Sequence, residues 1–178
     1  MSRVPESTET PARRYQLAIV DDDPDMVNLL QRIITKEFEP QIEVHTFTDP
    51  LQAKAYLESN CCDVLVTDIQ MSGMDGLQLA EFAKARNAWT QIIFITAYST
   101  LERVQTAWET GGSHYLQKPF KKQEILDAVA QDIAQRVHWQ LAMLETFRRA
   151  YQHYAATEPP PIPRTCQPDE AFSQNGNS

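Results

Sequence analysis

The stretch Leu17–Asp25 has the sequence LAIVDDDPD, in which an apolar run leads directly into three consecutive aspartates. A short apolar run with this β-branched content is typical of a buried strand. Pro24 suits the first turn of a helix, so Asp23 in front of it is predicted to cap that helix. The stretch therefore predicts a strand, a helix start and a cluster of carboxylates between them.

The same alternation of apolar runs and helical patterns continues along the chain, with Asp49 and Ser99 as further predicted caps. The predicted strands are Gln16–Val20, Ile42–Thr46, Val64–Thr67, Gln91–Thr96 and Tyr115–Gln117. The predicted helices are Pro24–Phe38, Pro50–Ser59, Leu77–Arg86, Thr100–Thr110 and Lys121 to about Ala155. Strict strand–helix alternation predicts an α/β fold, a doubly wound parallel sheet with helices on both faces.

Composition limits the classes of protein that fit. The 178 residues suit about one domain, and the net charge of −8 argues against a nucleic-acid binder. No apolar stretch reaches the roughly 20 residues of a membrane span, and the first residues do not resemble a signal peptide. We therefore expect a cytoplasmic protein with no membrane partner. Residues 1–14 and the proline-rich residues 157–178 are predicted to be disordered.

Polar side chains stand where four of the predicted strands end. Asp21 and Asp22 follow the first strand, and Asp68, Thr96 and Lys118 end or follow the third, fourth and fifth strands. The carboxyl ends of parallel strands meet at one edge of the sheet, where such folds bind ligands. Two carboxylates about 4 Å apart repel by roughly 4 kcal/mol near a surface, so this group needs cations. The lysine supplies one charge, and the oxygen-rich surroundings favour Mg²⁺ as another.

Four motifs in this order resemble the receiver domain of response regulators in two-component signalling. They are VDDDPD (Val20–Asp25), DIQMSGMDG (Asp68–Gly76), ITA (Ile95–Ala97) and YLQKPF (Tyr115–Phe120). The resemblance extends from about Gln16 to Ile133. It implies a five-stranded, flavodoxin-like sheet in the order 2-1-3-4-5, here followed by an extended C-terminal helix.

The resemblance also implies the chemistry of the carboxylate cluster. Asp68 matches the residue that takes a phosphoryl group from a sensor histidine kinase or a phosphotransfer protein. Asp22 and Asp68 match direct ligands of Mg²⁺, and Asp21 matches a neighbour that acts largely through water. The backbone carbonyl of Gln70 matches the third protein ligand. Such a protein is a phosphorylation switch, not an enzyme acting on external substrates.

Three further residues complete the implied site. Thr96 and Lys118 assist Asp68 in catalysis, and Thr96 also matches the switch hydroxyl. Tyr115 matches the aromatic residue that moves inward on activation, although a strand tyrosine can equally be a plain core residue. Ser72 stands where the family usually has proline, and Gly112 where it usually has alanine.

The last predicted helix is longer than a receiver domain requires. We expect the receiver to cover residues 15–135 and a helical extension, a candidate coiled coil, to cover residues 136–156. Apolar residues recur there at spacings of three and four with one glutamine among them, which predicts a homodimer seam. The stripe consists of Ala130, Ile133, Val137, Gln140, Leu144, Phe147, Tyr151 and Tyr154. The alternative is that the stripe packs locally, its first members on the sheet.

Two other functions are open to the sequence. Asp21 and Asp23 form a D-x-D motif, as in phosphatases of the haloacid-dehalogenase type, although the remaining motifs fit a receiver better. The chain is alternatively the front part of a longer regulator whose effector domain is absent from this sequence. A long helix followed by a proline-rich stretch is a common form of tether between such domains.

Overall fold

The structure, a computed structural model, describes residues 14–97 and 100–154, and for residues 152–154 it describes the backbone only. The predicted disordered segments lie outside the described residues, apart from Arg14. All ten predicted elements are present, each with bounds within one residue of those predicted. The strands are β1 (Tyr15–Val20), β2 (Ile42–Phe47), β3 (Val64–Asp68), β4 (Gln91–Thr96) and β5 (His114–Gln117). The helices are α1 (Pro24–Phe38), α2 (Pro50–Ser59), α3 (Gly76–Arg86), α4 (Leu101–Glu109) and α5 (Lys122–Tyr154).

The five strands form one sheet in the order β2-β1-β3-β4-β5, and every neighbouring pair is parallel. The predicted fold class and strand order are therefore confirmed. The register sets Val20 beside Thr67, and Asp68 beside Ile95. The last residues of β1, β3 and β4 consequently lie along one edge of the sheet.

Each face of the sheet has its own apolar core because side chains alternate along a strand. Leu17 and Ile19 of β1 pack with α1 and α5 on one face. Ala18 and Val20 pack with α2, α3 and α4 on the other face. The three central strands, β1, β3 and β4, are buried on both sides, which explains their near-continuous apolar sequences.

Side-chain caps begin four of the helices. Asp23 accepts the Asp25 N–H and Asp49 accepts the Leu51 N–H, so both predicted caps are confirmed. The prediction of Ser99 as the cap of α4 is wrong, because Thr100 occupies the N-cap and accepts the Arg103 N–H. Serine and threonine can both cap a helix, and neighbouring candidates leave the first helical residue uncertain by one position. Ser99 itself lies outside the described residues.

Gly112 departs from the family's usual alanine, and its surroundings explain the smaller residue. A β-carbon there would lie 2.9 Å from the Phe94 ring and 2.9 Å from the carbonyl oxygen of Ala107. The fully buried Phe94 ring thus occupies the space that an alanine methyl would need. The small residue in the turn and the large residue in β4 fit each other.

A buried ion pair holds α5 at the edge of the sheet opposite the carboxylates. Asp63, directly before β3, is 1% exposed, and its Oδ1 atom accepts a hydrogen bond from Nε of Arg136 at 3.1 Å. The other oxygen accepts the backbone N–H of Gln16 at 2.9 Å. The Trp89 and Trp139 rings also contact each other, with centroids 5.9 Å apart. Arg136 and Trp139 of α5 therefore contact the loops that precede β3 and β4.

The chain divides into two compact units, Met1–Trp139 and Gln140–Ser178. The described part of the second unit is the final segment of α5, where Leu144, Phe147 and Tyr151 of the predicted stripe are all exposed. In the first unit, Ile133 packs on the core as the local alternative expected, whereas Ala130 is exposed. Among the described helices, none combines the length and apolarity needed to cross a bilayer.

Candidate functional site

Lys118 joins two of the predicted carboxylates at the carboxyl edge of the sheet. Its Nζ atom donates to Oδ2 of Asp21 at 2.7 Å and to Oδ2 of Asp68 at 2.6 Å. The three residues follow or end three different strands, β1, β3 and β5. The Lys118 backbone N–H donates to the Thr96 carbonyl at 2.7 Å, which fixes the lysine beside the end of β4. The fold thus gathers these residues as the sequence predicted.

Backbone groups hold the two carboxylates in place. Oδ1 of Asp21 accepts the Asp23 N–H at 3.0 Å, and Oδ1 of Asp68 accepts the Gln70 N–H at 3.0 Å. A β-carbon at Gly76 would overlap the carbonyl oxygen of Asp68, so only glycine permits α3 to begin this close to β3. Each oxygen of Asp21 and Asp68 therefore has a defined donor.

The pKa shifts of Asp21 and Lys118 reflect burial and the hydrogen bonds between the two groups. Burial raises the pKa of Asp21 above its usual value, and neighbouring Asp68 adds to the rise. The hydrogen bonds from Lys118 and from the Asp23 N–H act in the opposite direction without cancelling the effect of burial. Burial alone would lower the pKa of Lys118, but the hydrogen bonds to both aspartates outweigh it and raise that pKa. The ammonium is therefore firmly charged.

Asp22, the third predicted carboxylate, has a different partner. It is exposed, and its Oδ2 atom accepts the backbone N–H of Ser72 at 3.3 Å. This hydrogen bond joins the turn after β1 to the turn after β3, which also carries Gln70. Three carboxylates with one ammonium leave an excess of negative charge, which suits a divalent cation.

The implied metal ligands suit Mg²⁺ better than a metal that is held by protein side chains alone. Over residues 14–97 and 100–154, no three His, Cys, Asp or Glu side chains are arranged to hold a metal by themselves. Mg²⁺ is usually bound through one or two carboxylates and keeps several waters. The implied direct ligands, Asp22, Asp68 and the Gln70 carbonyl, include only two side chains, so their number and hard oxygen chemistry match that preference.

Thr96 and Tyr115 lie on neighbouring strands next to this cluster. Thr96 is fully buried at the end of β4. Tyr115 is half-buried in β5, beside Phe94, and its hydroxyl is buried without a hydrogen-bond partner among the described residues. Its ring lines a cavity of about 50 Å³ between α4 and β5, together with Val104 and the exposed Trp108. Within the described part of the chain, the Tyr115 hydroxyl thus lacks a hydrogen-bond partner, and its ring has space beside it.

Comparison with known families agrees with this arrangement. A family profile described as the response regulator receiver domain matches residues 17–130, which is more than half of the chain. This chain belongs to the response regulator receiver family. The receiver therefore accounts for the sheet, its helices and the first part of α5. The phosphatase alternative also loses its support, since Asp23 of the D-x-D motif serves as the cap of α1.

Individual relatives of this receiver are longer proteins. The DNA-binding transcriptional regulator NtrC of Salmonella typhimurium is 34% identical over 116 residues, which cover 65% of this chain and 24% of that protein. The heme response regulator HssR of Staphylococcus epidermidis is 33% identical over 108 residues, covering 61% of this chain and 46% of that protein. The chain thus matches less than half the length of these relatives.

Solved structures agree on the fold. A CheY-like receiver from Methanospirillum hungatei superimposes with a TM-score of 0.66 at 24% identity, covering 71% of this chain and 98% of that one. The receiver of an HD domain-containing protein from Pseudomonas fluorescens gives 0.65 at 25% identity, covering 71% and 99%. The match covers nearly the whole of each neighbour and leaves part of this chain outside it.

Proposed function

We propose that this receiver is a phosphorylation switch in which Asp68 accepts a phosphoryl group from a sensor histidine kinase or a phosphotransfer protein. The observation that carries the proposal is the position of Lys118 Nζ, within hydrogen-bond distance of both Asp68 and Asp21. Of these two carboxylates, the side chain of Asp68 is the more accessible, at 9% exposure against 2%.

In the transfer, a carboxylate oxygen of Asp68 forms a bond to phosphorus as the bond from phosphorus to the histidine nitrogen breaks. The nitrogen keeps the electron pair. A protein catalyses phosphoryl transfer mainly by positioning the reacting groups and by neutralising the charge on the phosphoryl oxygens. Lys118 supplies a fixed positive charge at that place, and Asp21 holds the lysine there. The chain acts on its own aspartate and turns over no external substrate.

Asp22, Asp68 and the Gln70 carbonyl would hold Mg²⁺, with Asp21 contributing through water. When bound, Mg²⁺ supplies positive charge that stabilises the phosphoryl oxygens during transfer. The hydrogen bond from the Gln70 N–H to Asp68 supports this set, because it fixes the carboxylate and the carbonyl-bearing residue in one turn. The excess of carboxylates over ammonium groups explains why a divalent cation is needed.

Thr96 and Tyr115 form the switch. The Thr96 hydroxyl donates a hydrogen bond to the new phosphoryl group, and Tyr115 then moves into the space between α4 and β5. The cavity beside Tyr115 supports this coupling because it gives the ring space to move. The hydroxyl has no hydrogen-bond partner among the described residues, so a second ring position would break no described hydrogen bond. If the Tyr115 ring resonances in an NMR spectrum did not change on phosphorylation, the coupling would be excluded.

The test of the proposed function is intact-mass analysis after incubation with acetyl phosphate, a small phosphoryl donor. We expect the protein to gain one phosphoryl group in the presence of Mg²⁺ and almost none when EDTA removes the metal. The reason is that the carboxylates repel an incoming phosphoryl group unless the cation balances them. A protein that gains no phosphoryl group while folded and supplied with Mg²⁺ would contradict the proposal.

We further propose that the output is protein contact, including a homodimer through α5. Leu144, Phe147 and Tyr151 of the predicted stripe are 44 to 59% exposed, which leaves apolar surface for a second copy. Their heptad spacing suits two parallel helices. Leu144→Glu is expected to convert the dimer into a monomer in sedimentation velocity at micromolar concentration. A wild-type chain that sediments as a monomer would exclude the dimer.

The relatives support a second possibility for the output. They are regulators of which this chain covers only 24% and 46%, so the receiver is alternatively the front part of a longer protein with an effector domain. The intact mass of the protein purified from its native cells distinguishes the two. A mass matching 178 residues favours protein contact as the output, and a larger mass favours a missing effector.

A further inference from the structure

The backbone N–H of Ser72 has a role that the usual family residue cannot fill. Ser72 stands where the family usually has proline, and proline has no backbone N–H. In this chain that N–H donates to Oδ2 of Asp22 at 3.3 Å, across 50 positions of sequence. The substitution therefore adds a hydrogen-bond donor at one of the carboxylates that would bind Mg²⁺.

Asp22 is the carboxylate of the cluster that is not hydrogen-bonded to Lys118. The ammonium donates to Asp21 and Asp68, whose second oxygens accept backbone N–H groups of their own turns. Asp22 is exposed, and its described hydrogen bond comes from Ser72 in the other turn. The donor therefore restrains a side chain that would otherwise rotate freely in solvent.

The bond also joins the two turns that carry the implied metal ligands. Asp22 lies in the turn after β1, while Asp68, Gln70 and Ser72 lie at the end of β3 and in the turn after it. The backbone N–H of Gln70 donates to Oδ1 of Asp68, which holds these two residues together. Because the Ser72 N–H donates to Oδ2 of Asp22, the Oδ1 atom of the same carboxylate remains available to a cation. One oxygen is enough, since Mg²⁺ is bound through one or two carboxylates and keeps several waters.

We propose that the Ser72 N–H is a positioning group that pre-organises Asp22 for Mg²⁺, so that this receiver binds the metal more tightly than it would with proline at position 72. The inference rests on the proposed Mg²⁺ site. Its physical basis is that a carboxylate already held in the binding geometry loses less conformational freedom when the cation arrives. The serine hydroxyl has no part in this role.

The test compares three proteins by isothermal titration with Mg²⁺ alone. Ser72→Pro removes the donor and is expected to weaken Mg²⁺ binding by about threefold to tenfold, the range of a net hydrogen bond. Ser72→Ala removes the hydroxyl, keeps the N–H, and is expected to bind as the wild-type protein does. Equal or tighter binding by Ser72→Pro would overturn the inference, as would an equal loss in Ser72→Ala.

A second measurement does not depend on how proline changes the turn. In the metal-free wild-type protein, the Ser72 amide is expected to exchange its hydrogen more slowly than in Asp22→Ala, while the Gln70 amide, which donates to Asp68, is unchanged. Equal exchange of the Ser72 amide in both proteins would overturn the inference. A wild-type protein that binds no Mg²⁺ would overturn the proposed metal site. Normal Mg²⁺ binding together with equal exchange of the Ser72 amide would overturn only the role of Ser72, so the two failures are distinguishable.

Discussion

Asp68→Asn is expected to take up no phosphoryl group from acetyl phosphate and Mg²⁺ under conditions where the wild-type protein gains one. The amide nitrogen and oxygen of asparagine are much poorer nucleophiles than a carboxylate oxygen. The fold should survive, because Lys118 keeps its hydrogen bond to Asp21 and the asparagine oxygen can still accept the Gln70 N–H. Intact mass spectrometry measures the gain directly, and circular dichroism checks the fold.

Asp75→Asn is the matched control for this substitution. Asp75 caps α3 by accepting the Gln78 N–H, and it lies in the same turn region after β3. Asparagine caps a helix about as well as aspartate, so this variant loses one negative charge without losing the cap. It should be phosphorylated like the wild-type protein. Phosphorylation of Asp68→Asn, or its loss in both variants, would show that the account assigns the wrong residue.

Arg136→Leu is expected to lower the free energy of unfolding by about 3 kcal/mol. The substitution removes the guanidinium that donates to Oδ1 of Asp63, whose side chain is 1% exposed. Removing one partner of a buried ion pair is costly because the carboxylate loses a charged hydrogen bond that water does not replace. The effect is large because a domain of this size is stable by only about 5–15 kcal/mol in total. Urea denaturation followed by circular dichroism provides the measurement.

Arg149→Leu gives the comparison that isolates burial. Arg149 lies 3.1 Å from Glu145, the same distance as in the Arg136–Asp63 pair, but the two side chains are 74% and 56% exposed. Exposed pairs of this spacing contribute less than about 0.5 kcal/mol. We therefore expect little change in the unfolding free energy for Arg149→Leu. Similar losses in both variants would mean that burial does not decide the contribution of Arg136.

The proximity of Asp21, Asp68 and Lys118 was predictable because each of them ends or follows an apolar run. Once β1 and β3 are recognised as parallel strands, their geometry alone brings Asp21 near Asp68. Lys118 follows for the same reason from β5. The bounds of the helices were also predictable, since Asp23 and Asp49 stand directly before prolines at helix starts.

Contacts between distant residues were not predictable in the same way. The Ser72 N–H is a backbone group, so no residue type signals that it will meet Asp22. Asp63 and Arg136 are separated by 73 positions and form a pair only because α5 packs across the start of β3. The exposure of Ala130, which was expected to pack on the sheet, depends likewise on how α5 rotates about its axis.

The two ends of the sheet therefore carry different kinds of charge pairing. At the amino end, Asp63 forms a buried ion pair with Arg136, which we expect to stabilise the fold. At the carboxyl end, Lys118 pairs with Asp21 and Asp68, while Asp22 is held by the Ser72 N–H, so three carboxylates share one ammonium and negative charge is left unbalanced. Unbalanced charge of this kind is unfavourable for stability alone and is typical of functional sites.

Chemical mapping of the phosphoryl group tests the central claim most directly. Borohydride reduces an acyl phosphate to an alcohol, so a phosphorylated aspartate becomes homoserine and can be located by peptide mass spectrometry. After phosphorylation with acetyl phosphate and Mg²⁺, we predict homoserine at position 68. Homoserine at Asp21 or Asp23, or a phosphoryl group found on a histidine with Asp68 unmodified, would contradict the account.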